Sequence, residues 1–215
     1  PLYESSSSWQ RLVVVLEVRR EALEPTGPEA AALLARVADL QENKLQARAS
    51  ALATWRQVLA ADPNNPDALA EIERIGTTLE RFSELVDVYQ EQAFKLEAGD
   101  ISGRADLLSR AAKLYAGRLG NKRAAIEAWA RALGLDAENP ETGRPAAAAL
   151  ETLYTETGDV AALVKILRVQ AGWADGADER KAILFRISGL EAQQLGDTQA
   201  AVATLRAILE LDPQD

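Results

Sequence analysis

Internal repetition is the sequence feature that most constrains how this chain can fold. Three segments, starting at Leu33, Leu107 and Ile183, align without a gap and start 74 and 76 residues apart. Their shared columns are Leu34, Leu108 and Leu184; Leu40, Leu114 and Leu190; Leu45, Leu119 and Leu195; Ala51, Ala125 and Ala201; Leu59, Leu133 and Leu209; and Asp62, Asp136 and Asp212. So many columns in one register indicate a repeated structural unit.

A second kind of segment lies between these three, starting at Pro66 and at Arg144. The two copies align when Leu85 is placed on Leu163, so two types of unit alternate, here called type A and type B. Each is about 37 residues long, a period typical of stacked helical units.

The N-terminal residues continue the type B register when Leu12 is placed on Leu163. Leu2 and Tyr3 are then interpreted as the last turn of a helix, and Ser5 to Ser8 as an interhelix turn. The alternative is that the four serines form a flexible low-complexity linker.

Each unit shows the apolar spacing of two amphipathic helices. Leu33, Leu34, Val37 and Leu40 form one stripe, and Ala51 begins the partner stripe that continues through Trp55, Val58 and Leu59. Two short helices joined by a few residues pack antiparallel, and neither can bury its stripe alone. The sequence therefore predicts an all-α fold, a right-handed α-solenoid of antiparallel helix pairs forming one segment over 1–215. Complete pairs are predicted at 29–62, 66–98, 102–136, 144–174 and 178–212, with a partial pair at 1–24 whose one complete helix covers about 9–24.

Proline and glycine mark the expected boundaries between helices. Seven prolines fall between predicted helices, where a residue without an N–H is tolerated: Pro25, Pro28, Pro63, Pro66, Pro140, Pro145 and Pro213. Gly120-Asn121, Gly158-Asp159 and Gly196-Asp197 are predicted to be tight turns. In such turns glycine adopts the left-handed conformation and the next residue caps the following helix.

At these residues the chain resembles the tetratricopeptide repeat family over nearly its whole length. Gly189, Gly196-Asp197, Ala201 and Leu205 match the family's small, turn, small and large positions, and Ala51 with Trp55 and Ala125 with Trp129 repeat the small–large pair. The chain departs from the family pattern at Gln46-Ala47, where the turn glycine is absent, and in its variable period. The family also has a large residue before its Leu-Gly position, and this chain has one only in the last copy, where it is Phe185.

The resemblance implies a protein-interaction module whose first helices line a concave groove for a partner's peptide, helix or subunit. The main hypothesis is thus a non-catalytic scaffold within a larger, bacterial assembly. The alternative is a regulatory or sensor arm whose catalytic or DNA-binding domain lies outside this chain. An enzyme is not expected, since paired acids such as Glu71 with Glu73 or Asp87 with Glu91 are interpreted as solvated helix faces.

Composition narrows the partner class. The chain has no Cys and no His, which removes thiol and imidazole chemistry, and no cofactor or metal site is predicted. The formal net charge of −9 disfavours nucleic acid. No run approaches the ~18 apolar residues of a membrane span. The compartment stays open between cytoplasm and periplasm, and the absence of Met leads us to expect a piece of a longer protein.

One polar column is a candidate binding site. Arg36, Arg110 and Arg186 recur on the first helices of the type A pairs, and Lys113 and Gln193 lie on the same helices. Guanidinium groups in such a column would bind partner carboxylates bidentately. The alternative is a structural role, with each Arg paired to a carboxylate such as Glu73 or Glu151 of a neighbouring pair. The sequence shows no capping residues at either end, which predicts either continuation into more repeats or self-association.

Overall fold

The computed structural model describes residues 8–211, and within that range the chain is entirely α-helical. Eleven helices follow one another: α1 Trp9–Glu21, α2 Pro28–Asn43, α3 Arg48–Ala61, α4 Pro66–Thr78, α5 Phe82–Lys95, α6 Ile101–Gly117, α7 Lys122–Gly134, α8 Pro140–Thr157, α9 Val160–Gly172, α10 Ala177–Gln193 and α11 Thr198–Leu211. The predicted all-α repeat fold is confirmed for these residues. Leu2, Tyr3, Ser5 to Ser7 and Asp212, which carried several sequence predictions, lie outside them.

The helices group into two compact units, Pro1–Lys95 and Leu96–Asp215. In the first unit each helix from α1 to α5 packs on the next one along the chain, and the same order holds from α6 to α11 in the second unit. Sequential packing of this kind is the arrangement of stacked helix pairs. That the two units form a single solenoid segment remains a prediction.

Proline placement corrects one predicted boundary. Pro28, Pro66 and Pro140 occupy the first turns of α2, α4 and α8, where the missing N–H costs nothing. Pro145, however, lies inside α8, which begins at Pro140 and not at the predicted residue 144. Its nitrogen cannot donate to the carbonyl one turn earlier. The helix starts early because Asn139 caps it, its side chain accepting from the Glu141 N–H at 3.0 Å.

The predicted glycine turns are confirmed. Gly120, Gly158 and Gly196 have φ angles of +62°, +73° and +68°, in the left-handed region. The residue after each glycine caps the next helix, with the side chains of Asn121, Asp159 and Asp197 accepting from backbone N–H groups at 3.0, 3.0 and 2.8 Å. These turns fix where each second helix begins.

Two turns lack glycine but keep the same conformation. Gln46 has a φ of +54° and Glu80 a φ of +55°. The loop of the first type A pair also repeats the backbone bond seen in the other copies: Ala47 donates to Gln41 at 2.7 Å, as Asn121 does to Tyr115 and Asp197 to Glu191, both at 2.8 Å. The loop geometry therefore persists where the sequence signal for it is missing.

The core includes most of the columns found by sequence alignment, although Leu195 and Leu209 of the last pair are 43% and 49% exposed. Ala51, Ala125 and Ala201 are 0%, 0% and 4% exposed, and Trp55 and Trp129 are buried one turn further along. A small residue at the first position lets two helices approach, and the large residue fills the space beside it. Around this pattern the first unit buries a cluster of Leu12, Val13, Leu16, Val37 and Leu40, and the second unit one of Leu163, Val164, Leu167, Ala171, Leu184, Ile187 and Ile208.

We predict that Trp129→Ala lowers the free energy of unfolding by about 3–5 kcal/mol, as truncation of a buried aromatic side chain does. Urea denaturation followed by circular dichroism measures the loss. Phe94→Ala is the matched control, because that ring is 85% exposed and its removal should change stability by less than ~0.5 kcal/mol. Equal effects of the two substitutions would contradict the core assignment of Trp129.

Two glycines of the last pair should respond to alanine with opposite signs. Gly196→Ala places a Cβ in the left-handed region and should destabilise by about 1 kcal/mol. Gly189 lies within α10, and a Cβ added there meets no atom within 4 Å. Gly189→Ala should therefore stabilise by about 0.5–1 kcal/mol through helix propensity. Thermal melts of the two variants check this, and a loss at Gly189 would show that the position must stay small.

Candidate protein-interaction surface

The five candidate binding residues all lie on first helices of type A pairs. Arg36 is on α2 in the first unit, Arg110 and Lys113 are on α6, and Arg186 and Gln193 are on α10 in the second unit. Arg110 is half-buried and the other four are exposed. The helices that carry them follow the amphipathic pattern, which leaves these positions outside the apolar stripe.

Arg186 forms a contact between pairs. Its guanidinium donates to Glu151 on α8, and Gln170 of α9 donates to the other oxygen of the same carboxylate at 3.0 Å. Burial disfavours the charged form of Glu151, but the hydrogen bonds from Arg186 and Gln170 outweigh it and hold the pKa of the carboxyl below its usual value. At this position the contact corresponds to the structural alternative, an Arg joined to Glu151 of a neighbouring pair.

Arg110 occupies the same column but has a different partner. Its Nε lies 2.8 Å from Asp106 one turn earlier on α6, and both side chains are about half exposed. Ion pairs of this kind contribute less than ~1 kcal/mol. The arginine column is therefore a series of positions with different contacts and not a ladder of identical ones.

An open cleft lies between the first helices α2 and α4 of the first unit. Its walls are polar and Trp55 of α3 also lines it; the lining residues are Asp39, Glu42, Asn43, Trp55, Asp67, Ala70, Glu71 and Arg74. Arg74 donates to both oxygens of Glu42, at 3.0 and 2.5 Å, and to Glu71 at 2.6 Å. This bidentate contact joins α4 to α2 across the cleft.

Glu42 is the buried member of this group, with a side chain only 10% exposed. The hydrogen bond from Arg74 lowers the pKa of the Glu42 carboxyl, although burial opposes ionisation, and Arg48, at 3.8 Å, lowers it further. The same contacts raise the pKa of Arg74. Glu42 is thus a permanent anion near neutral pH, and the contact depends on its charge.

A second open cleft lies between the first helices α8 and α10 of the second unit. Arg144, Ala148, Gln170, Trp173, Glu179 and Ile183 line it. Arg144 donates to the Trp173 carbonyl at 3.1 Å and to Asp175 at 3.4 Å, which holds the loop after α9 against α8. The ring of Trp173 packs where a Cβ at Gly143 would lie, at 2.6 Å, so this cleft requires glycine there.

The second unit also contains a buried carboxylate that the sequence did not predict. Glu191 is 2% exposed. It accepts from Thr204 at 2.8 Å and from Arg168 of α9 at 2.6 Å. Thr54 makes the corresponding contact to Gln41 at 2.7 Å in the first type A pair. Thr54 and Thr204 align, but the middle copy has Ala128 at that position, and the two arginine contacts do not recur either, because Arg74 aligns with Thr152 and Arg168 with Gln90.

Residues 8–211 contain no group of three or more acidic side chains placed to hold a metal ion. In the same range no helix combines the length and the hydropathy that crossing a bilayer requires.

Comparison with known proteins finds a sequence similarity at the last helix pair. A tetratricopeptide repeat family model matches residues 184–215. No curated protein matches the chain significantly. Similar solved structures include MamA, at 18% identity over 86% of this chain and 92% of that one with a TM-score of 0.40. YrrB, described as a TPR protein with an unusual peptide-binding site, is 16% identical over 85% and 87%, with a TM-score of 0.42. PilF of Pseudomonas aeruginosa is 15% identical over 99% and 88%, with a TM-score of 0.41.

We predict that Arg74→Met destabilises the protein by about 1–3 kcal/mol at pH 7, since it leaves the buried Glu42 carboxylate without its main donor. Because the folded-state pKa of Glu42 is lowered, the stability it contributes is present above its unfolded pKa and is lost as pH falls through the folded value. The difference between variant and wild type should therefore shrink on acidification. Urea titrations at pH 7 and pH 3 measure it, and Arg81→Met, which removes an exposed pair with Glu84, is the control. A difference in unfolding free energy between wild type and Arg74→Met that does not change with pH would argue against the ion pair.

Proposed function

Because its last helix pair is similar to a tetratricopeptide repeat and its other type A pairs repeat that sequence, we propose that the chain is a non-catalytic scaffold for protein–protein interaction. It binds a peptide, helix or subunit of a partner on the surfaces formed by its first helices. The observation that supports this most directly is that both units have an open cleft between consecutive first helices, α2 with α4 and α8 with α10.

The charged side chains of these surfaces are suited to recognition. Glu42 and Glu151 both have lowered pKa values and are held by guanidinium groups, so they remain ionised near neutral pH. A general acid or base needs a pKa near the working pH, which these groups do not have. Fixed carboxylates and guanidiniums instead provide oriented acceptors and donors for the backbone and charged groups of a partner.

Arg110 and Lys113 are the residues we propose for direct partner contact in the second unit, with Gln193 and Arg36 as the exposed polar positions on α10 and α2. Arg110 forms a half-exposed ion pair with Asp106 on its own helix, in contrast to Arg186, which is anchored on Glu151 of a neighbouring pair. A guanidinium that can exchange one carboxylate for another is suited to a partner with acidic side chains. The acidic balance of the whole chain argues against nucleic acid in the same role.

Peptides selected from a random displayed library on the intact chain provide the test. We predict that selected peptides carry carboxylates, and that Arg110→Ala weakens their binding about tenfold, the size expected for one charged hydrogen bond. Fluorescence anisotropy measures the dissociation constants, and a melting curve checks that Arg110→Ala remains folded.

Arg123→Ala is the matched control. Arg123 lies on the second helix α7 with a side chain 91% exposed, and its pair with Glu127 resembles that of Arg110 with Asp106. Its removal should leave binding unchanged. Equal loss in both variants would indicate non-specific electrostatic attraction, and a large loss of stability in Arg110→Ala would favour a structural role for the column.

A further inference from the structure

The first unit contains a further cleft, which lies between two second helices and is called the second-helix cleft here. Residues 56–60 of α3 and 88–95 of α5 form its walls. The first helix α4 packs against both α3 and α5 and so fixes their separation. The cleft has a volume of about 230 Å³, below the ~300–1,000 Å³ of a typical small-molecule site. It is therefore suited to a short stretch of a larger ligand.

The second-helix cleft has a buried amide among its lining residues. Leu59, Val88 and Gln92 are 4%, 2% and 5% exposed, so Gln92 is buried as well as the apolar side chains beside it. Its side-chain amide makes no hydrogen bond to another residue in the range 8–211. Side-chain polar atoms that are fully shielded in this range all have a partner. The Gln92 amide is therefore open to the cleft, where a ligand can reach it.

The second unit shows the same amide with a partner. Gln170 of α9 occupies the same column as Gln92 and donates to Glu151 of α8 at 3.0 Å. A buried amide that lacks such a bond destabilises the fold, because it has lost water without gaining a partner. A leucine at Gln92 would have a similar size and would avoid that cost. Packing alone thus does not account for glutamine at this position, and a ligand for its amide does.

The chemistry of the amide and the length of the cleft indicate an extended peptide. A glutamine side chain has N–H donors and a C=O acceptor side by side, which match the C=O and N–H of a peptide backbone. From Val88 to Lys95 the wall formed by α5 is about 10 Å long at the helical rise of ~1.5 Å per residue. This length corresponds to about three residues of extended chain. Recognition of a short extended segment through its backbone is a common mode of peptide binding.

The charged side chains of the cleft favour an acidic group on that peptide. Arg56 and Lys95 are cationic and Glu91 is anionic, and Glu84, which lies 3.6 Å from Arg56, does not line the cleft. Lys95 is exposed in the last turn of α5 and is therefore the contact we expect for a carboxylate. Phosphate is less suited, since its sites commonly use helix N-termini and both walls belong to the C-terminal parts of their helices.

We propose that the second-helix cleft binds a short, extended, acidic peptide segment of a partner protein. The Gln92 amide pairs with the peptide backbone, and Lys95 pairs with an acidic side chain. The site is separate from the first-helix surfaces of the proposed function, since all of its lining residues belong to second helices. Either site can therefore fail its test without the other.

A random displayed peptide library is the probe. It is first depleted on the Gln92→Leu variant and then selected on the intact wild-type chain. We expect the recovered peptides to be rich in Asp and Glu. Their affinity, measured by fluorescence anisotropy, should fall about tenfold or more in Gln92→Leu, because two backbone hydrogen bonds are lost. Lys95→Gln should weaken them only a few-fold, as expected for an exposed charge pair.

Two variants control for other binding modes. Gln90→Leu makes the same change on α5 at a position that does not line the cleft, and it should leave the affinity unchanged. Arg110→Ala in the second unit should also have no effect on these peptides. Peptides that lose affinity in Arg110→Ala and keep it in Gln92→Leu would overturn this proposal while supporting the first-helix surface. A depleted library that yields no peptide preferring the wild-type chain would overturn it as well.

Thermal melts separate a binding role of Gln92 from a structural one. Gln92→Leu should raise the melting temperature by about 2–4 °C, because it removes a buried polar group that has no partner. Gln170→Leu is the matched control and should lower the melting temperature, since it removes a donor to the Glu151 carboxylate. A lower melting temperature in Gln92→Leu would show that the amide serves the fold, and it would overturn the proposal.

Discussion

Within each unit, the packing of a second helix against the next first helix is the contact on which the rest of that unit depends. A single pair of these helices leaves a stripe of Leu, Val or Trp uncovered, and burial of one such side chain contributes roughly 1.5–3 kcal/mol. The contrast between Leu133, 7% exposed, and Leu209, 49% exposed, shows the effect within one chain. The two residues occupy the same column, and among the described residues only Leu133 has a following first helix packed beside it. Stability in this architecture is thus a property of neighbours and not of individual pairs.

Residues that recur between pairs were predictable from the sequence, because the three type A pairs pack in the same way and need side chains of similar size at the same positions. The alanine column, the tryptophans beside it and the glycine turns all follow from spacing alone. Gln46 and Glu80 show that the turn geometry is set by the helices it joins, since both adopt the left-handed conformation without being glycine. At Pro145 the residue that usually marks a helix boundary is present, but the boundary is not. The cap at Asn139 starts the helix earlier.

Contacts made once were not predictable. Arg74 with Glu42 and Arg168 with Glu191 connect different helix pairs through long side chains, and neither arginine recurs in its column. Sequence separation gives no indication of which rotamer reaches which carboxylate. A buried carboxylate is tolerated only when donors surround it. The burial of Glu42 and Glu191 could therefore not be predicted without knowing which arginine reaches each of them. Gly189 shows the converse, a matching family position whose small size no contact among the described residues requires.

This division between recurring and single contacts bears on where recognition resides. A recurring residue can serve packing in one copy and not in another: Arg186 binds Glu151 of a neighbouring pair, whereas Arg110 of the same column pairs with Asp106 on its own helix. Residues that differ from copy to copy need to satisfy only the packing of their own neighbours, as Arg74 does through Glu42 and Arg144 through the loop after α9. Trp173 and Arg144 in one cleft, and Asp67 and Arg74 in the other, are side chains of this second kind. If the chain is the scaffold we propose, we expect partner specificity to come from the clefts, where the copies diverge, and Arg110 to add affinity for acidic groups in general.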